Sequence, residues 1–167
     1  WCIDDFEIFD GGTVIEVREG GLTGTLITDN QAVGGLRNFG NVPVAHNSAT
    51  LVIAITNNSA VNITFGTSGP PAVSPIVELP AVNFFILQTA APQTWVNPLP
   101  PGQSCTFAIT FNAPTGTAVG LQSCVFTLNH NAGGPPMKAF EINVQANVVP
   151  AAGGTMEVHL GSVGGPI

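Results

Sequence analysis

The 167 residues suffice for one domain with a buried core and would crowd two, because chains of about 150 residues hide roughly two-thirds of their unfolded surface. Hydrophobic residues make up 44% and charged residues only 8%, which excludes a disordered chain. Three basic residues, Arg18, Arg37 and Lys138, stand against ten acidic ones, and the net charge of −7 excludes a basic patch and with it a nucleic-acid partner.

In chain order, residues 1–12 form an N-terminal extension or the end of a preceding repeat. They hold the one acidic cluster, Asp4, Asp5, Glu7 and Asp10, whose oxygens suit either a Ca²⁺ ion or a solvated face. Beside it lies Cys2, which is either paired with a neighbouring subunit or an unpaired thiol. The domain proper runs over 13–149. Strands are predicted at 13–18, 24–28, 49–56, 60–65, 73–79 and 83–89 from their β-branched and aromatic content. Three later ones show period-two alternation. At 105–111 Phe107, Ile109 and Phe111 face in, with Thr106, Ala108 and Thr110 facing out; at 124–129 Phe126 and Leu128 share a face; at 139–145 Phe140, Ile142 and Val144 do. Turn signals such as Asn57-Asn58-Ser59, Gly69-Pro70-Pro71, Pro100-Pro101-Gly102 and Gly133-Gly134-Pro135-Pro136 separate them. The expectation is an all-β, immunoglobulin-like two-sheet sandwich of about seven to nine strands.

Two stretches carry a family resemblance. Phe39-Gly40-Asn41-Val42-Pro43-Val44 followed by Ile55-Thr56-Asn57-Asn58-Ser59, and Pro101-Gly102-Gln103-Ser104-Cys105-Thr106-Phe107 followed by Ile109-Thr110-Phe111-Asn112-Ala113-Pro114, resemble the motifs of the choice-of-anchor D and hydin-like immunoglobulin-like domains. The resemblance spans roughly residues 36–148. It implies a seven-stranded sandwich used as a scaffold repeat in large bacterial surface or secreted proteins and in eukaryotic ciliary and centrosomal proteins. The chain departs from the pattern in a Pro-rich insertion at 66–82 and in lacking a cysteine just before Cys105.

Residues 150–167 read as a linker and a terminal strand that resembles the start of a next repeat. Gly11-Gly12-Thr13-Val14-Ile15-Glu16-Val17-Arg18 recurs, one residue shorter, as Gly153-Gly154-Thr155-Met156-Glu157-Val158-His159. Three readings stand: chance similarity of short strand text, one unit of a tandem array, or a strand, Thr155, Met156, Glu157, Val158, His159 and Leu160, that completes the sheet of a neighbouring subunit. No apolar run nears the roughly 18 residues of a membrane span. A start at Trp1 without a signal-like segment leads us to expect a processed mature chain or an excerpt.

Cys105 and Cys124 share the inward phase of their strands, so the pattern allows either a disulfide, which needs an oxidising compartment, or two buried thiols. His46, His130 and His159 lie far apart, and none has metal-ligand spacing with another ligand. No nucleophile or phosphate-loop motif occurs. Asn57 and Asn62 open N-glycosylation patterns, and Trp1 and Trp95 are either packing residues or sugar platforms. The expectation is a non-enzyme without cofactors: a self-associating structural protomer or repeat of an extracellular fibre, sheath or large surface protein. The alternative is an adhesive or carbohydrate-binding surface module.

Overall fold

The computed structural model describes residues 14–66, 76–79, 84–88, 94–132, 134 and 137–152. Ten strands follow in chain order: β1 (Ile15–Glu19), β2 (Thr25–Ile27), β3 (Asn38–Pro43), β4 (His46–Asn47), β5 (Leu51–Asn57), β6 (Ile76–Leu79), β7 (Phe85–Gln88), β8 (Ser104–Ala113), β9 (Gly120–His130) and β10 (Lys138–Val149). The described residues contain no α-helix, only a 3₁₀ turn at Gly35–Arg37.

The strands form two sheets. The first has the order β2-β1-β5-β8-β4, with β7 also paired to β8; the second has the order β3-β10-β9-β6. All pairings are antiparallel except that of β3 with β10. The three longest strands supply the alternation that builds the core. Cys105, Phe107, Ile109 and Phe111 of β8 are buried, as are Cys124, Phe126 and Leu128 of β9 and Phe140, Ile142, Val144, Ala146 and Val148 of β10. The rows of both sheets belong to one cluster. Phe85 of the first sheet joins them, its ring centroid 4.8 Å from Phe111 and 6.4 Å from Phe126 of the second sheet. Each fully buried side chain of this kind contributes about 1.5–3 kcal/mol.

Three elements differ from the sequence reading. Residues 60–65 form no strand and make only isolated bridges, Ile63 to Leu99 and Phe65 to His130. The cause lies upstream, where buried Asn57 donates from Nδ2 to the carbonyls of Val61 and Leu99 and accepts at Oδ1 from the Ser59 amide. That network turns the chain and occupies the Val61 carbonyl, which a ladder would otherwise use. Residues 38–43, read only as a motif, form β3 along the edge of β10; Gly40 at φ +67° breaks the alternation there. Ala108 and Thr110, expected to face out, are buried too, because β8 is an interior strand between β5 on one side and β7 and β4 on the other.

Candidate functional site

The segment after β2 shapes the site. β2 ends with Ile27 opposite Val17, and the chain then leaves the first sheet for the edge of the second. Gln31 Oε1 accepts from the Thr28 amide, and the Gln31 amide donates to the Thr28 carbonyl, closing a turn with Asn30 at φ +52°. Asn30 then donates its amide to the Glu141 carbonyl at 3.0 Å, and the Glu141 amide donates to Asp29 Oδ1 at 2.7 Å. Gln31 bridges Ile142 in parallel, so this crossover lies like a short strand on β10.

An ion pair fixes its far end. Arg37 Nε donates to Glu19 Oε2 at 3.1 Å, the Arg37 amide donates to the same oxygen, and Arg37 Nη1 donates to the Gln31 carbonyl. Arg37 is 1% exposed and Glu19 5%, so the pair is held in the interior, where each charge needs the other. Gly35 sits at φ +56°, and a side chain there would meet the Glu19 carboxylate at 2.1 Å.

On the β1-start side of the crossover the two sheets are not bridged, and an apolar groove of about 390 Å³ opens between them. Val14, Ile15 and Val17 form one wall, Leu26 and Ile27 the rim, and Phe140 and Ala132 the other wall. Polar groups are few: Asp29, Lys138 and His130. His130 is 6% exposed and accepts at Nδ1 from the Ala132 amide at 3.2 Å. Burial holds its pKa below the usual imidazole value, the Lys138 charge adds to this, and Asp29 opposes it. Lys138, exposed at the mouth, is the protein's one lysine.

Two strand edges border the groove. Ile15 lies beyond the end of β2, and Lys138–Phe140 lie before β10 meets Gln31 and β3. The sequence reading found both strands and missed the groove, because their convergence depends on pairing between segments more than 100 residues apart. Lys138 beside the predicted strand 139–145 was the available signal.

Other predicted residues fall elsewhere. Cys105 on β8 and Cys124 on β9 are both buried, on different sheets, and the structure holds them as thiols, so the allowed bridge is not formed. Burial pushes the Cys105 thiol up to about 11, opposed by a hydrogen bond from the Val96 backbone. Trp95 is half-buried and packs against the core, its ring centroid 5.0 Å from that of Phe65. Asn57 is 0% exposed with its amide group fully engaged, so of the two glycosylation patterns only that at exposed Asn62 is accessible. Cys2, Asp4, Asp5, Glu7, Asp10 and Thr155 to Leu160 lie outside the described residues. Among the described residues no three His, Cys, Asp or Glu side chains gather as a metal site, and no helix is long and apolar enough to cross a membrane.

No family model and no curated protein matches the chain. Among solved structures, a family 123 glycoside hydrolase from Clostridium perfringens, described for glycolipid glycan hydrolysis, is similar at 12% identity with a TM-score of 0.45. The match covers 83% of this chain and 27% of that enzyme's. The expectation that the chain is not an enzyme is corrected by this finding and set aside; a likeness this distant transfers neither substrate nor mechanism.

Proposed function

We propose that the chain is an immunoglobulin-like β-sandwich serving as a structural protomer or repeat of an extracellular fibre, sheath or large surface protein, joined head to tail with its own copies. The fold reading rests on strand order: β5-β8-β7 in one sheet and β3-β10-β9-β6 in the other, with β3 parallel to β10, is the order of such domains, and β1-β2 adds a hairpin beside β5.

One observation carries the function: the chain enters and leaves the sandwich at opposite ends. Val14 and Ile15 line the groove together with Lys138, Ala139 and Phe140, so β1 and β10 start at the same end. β10 then runs for 12 residues, about 40 Å at ~3.3 Å per residue, and Val149 ends beside Pro43, its carbonyl accepting from the Val44 amide. The described residues therefore begin and end at opposite ends of the sandwich, an arrangement that suits linear joining of units.

Sedimentation velocity of the full chain over a wide concentration range, with electron microscopy of the concentrated sample, tests this. The expected result is a concentration-dependent series of species and linear particles. A strictly monomeric chain at its highest soluble concentration refutes it.

A further inference from the structure

We propose that His130 is an acid-sensitive latch: a proton on its Nδ1 releases Ala132 from the groove wall while the rest of the sandwich stays folded.

The inward row of β9 is apolar at Cys124, Phe126 and Leu128 and ends on an imidazole, His130. Its one hydrogen bond among the described residues fixes which ring nitrogen is bare. The Ala132 amide donates to Nδ1 at 3.2 Å, so Nδ1 carries the lone pair and Nε2 the proton of the neutral ring. A second proton must therefore go to Nδ1. Once there, it sets two N–H donors against each other across a hydrogen-bond distance, and the attraction that holds Ala132 becomes a repulsion. Ala132 is 3% exposed and forms part of the groove wall, and the bond to His130 is what ties it to the end of β9.

The charges around the ring decide which way it moves. From β10, Lys138 stands directly opposite His130 in the antiparallel register, so its ammonium opposes a second positive charge. From the crossover comes Asp29, the one anion lining the groove. The other groove walls, Val14, Ile15 and Val17 of the β1 side and Leu26 and Ile27 of β2, bring no charge, nor does Phe65, which bridges His130. An imidazolium in the wall is thus desolvated and faces Lys138. Swung out toward exposed Asp29, it regains water and gains a counter-ion.

The neighbouring bonds confine the movement. The Asn131 amide donates to the Thr64 carbonyl at 3.1 Å, and Asn131 Oδ1 accepts from the Thr64 amide at 2.7 Å; neither bond involves a titratable group. Along the β9–β10 ladder from Leu128 and Phe140 onward, the inward rows carry no charged side chain and no further histidine. Acid therefore acts on the His130 ring and Ala132, and leaves the strands on either side in place.

The sign follows from linkage. In the released state the ring has the ordinary imidazole value of 6.5, and in the wall it lies lower. The released state takes up the proton first, so its share grows as pH falls below 6.5, by up to about tenfold per pH unit, the slope of one proton.

Amide hydrogen exchange of the full chain, read residue by residue by NMR between about pH 5 and 8 and corrected for the intrinsic pH dependence of exchange, tests the latch. The expected result is that opening of the Ala132 amide rises with this slope below pH 6.5 while the amides of the β5–β8 ladder keep their protection. His130→Gln, neutral throughout, removes the slope. The unmodified chain supplies a second measurement: imidazole ¹⁵N shifts of His130 at neutral pH are expected to show Nε2 protonated and Nδ1 bare. A proton on Nδ1 at neutral pH overturns the proposal. So does an Ala132 opening that does not change with pH, or one that keeps its slope in His130→Gln. An Ala132 opening that rises in step with the β5–β8 amides overturns it as well, since acid then unfolds the whole domain.

Discussion

Replacing Glu19 or Arg37 by alanine strands a charge in the interior of the crossover. Glu19→Ala removes the acceptor of two bonds, from Arg37 Nε at 3.1 Å and from the Arg37 amide at 3.2 Å, and leaves a guanidinium at 1% exposure with one partner among the described residues, the Gln31 carbonyl. Breaking a buried pair in this way costs about 3–5 kcal/mol, a large share of the roughly 5–15 kcal/mol that holds a domain folded. Arg37→Ala costs a similar amount. The double variant costs about 2–3 kcal/mol less than the sum of the two, since the second deletion removes the charge that the first left bare. Gly35→Ala probes the same contact from its other side. Its φ of +56° adds about 1–2 kcal/mol for any side chain, and its Cβ would also press into the Glu19 carboxylate at 2.1 Å. In a Glu19→Ala background the collision is gone, so the added cost of Gly35→Ala falls to the backbone share alone. Equilibrium urea unfolding followed by the fluorescence of half-buried Trp95 measures each difference as a midpoint shift at constant slope. Additive effects of Glu19→Ala and Arg37→Ala, or an equal cost of Gly35→Ala in both backgrounds, would refute the reasoning.

Three further outcomes follow from buried groups. His130 has its pKa lowered on folding, so the unfolded chain takes up a proton first; stability is full above pH 6.5 and declines as pH falls below it, and His130→Gln flattens that slope in urea titrations between pH 5 and 8. The Cys105 thiol, raised to about 11, favours the folded state below its ordinary value of 9.0, and that contribution is lost as pH rises from there toward 11. Peptide mapping after alkylation without reductant should find Cys105 unlabelled in native protein at pH 8, and both Cys105 and Cys124 labelled after unfolding; failure to label them unfolded would establish a bridge. Asn57→Ala deletes one of the two donors to each of the Leu99 and Val61 carbonyls, which keep the Ile63 amide and Ser59 Oγ, and removes the acceptor of the Ser59 amide, and lowers stability by about 1–3 kcal/mol in the same urea assay, whereas Asn62→Ala, at an exposed position, changes it by less than about 0.5 kcal/mol.

The sequence by itself determined the long strands and the inward faces of β9 and β10. Their alternation of Phe, Ile, Val and Leu is a local property, written two residues apart along each strand and kept because one face is buried. It also placed Cys105 and Cys124 inward, but phase does not say which inward residues meet; that depends on how two sheets stack. Tertiary structure decided the elements whose reason lies far along the chain. β3 exists because β10 offers it an edge, and its text of Asn38, Gly40, Asn41 and Pro43 carries no alternation to announce it. Residues 60–65 look like a strand and make only isolated bridges, because the chain turns at buried Asn57, which takes the Val61 carbonyl. The groove is the extreme case: Val14, Leu26, Asp29, His130 and Lys138 become neighbours only when the Arg37–Glu19 pair and the Asp29–Gln31 contacts carry the chain from one sheet to the other and leave the space beside it open. Local spacing fixes which way a side chain points, and long-range pairing alone fixes what it faces.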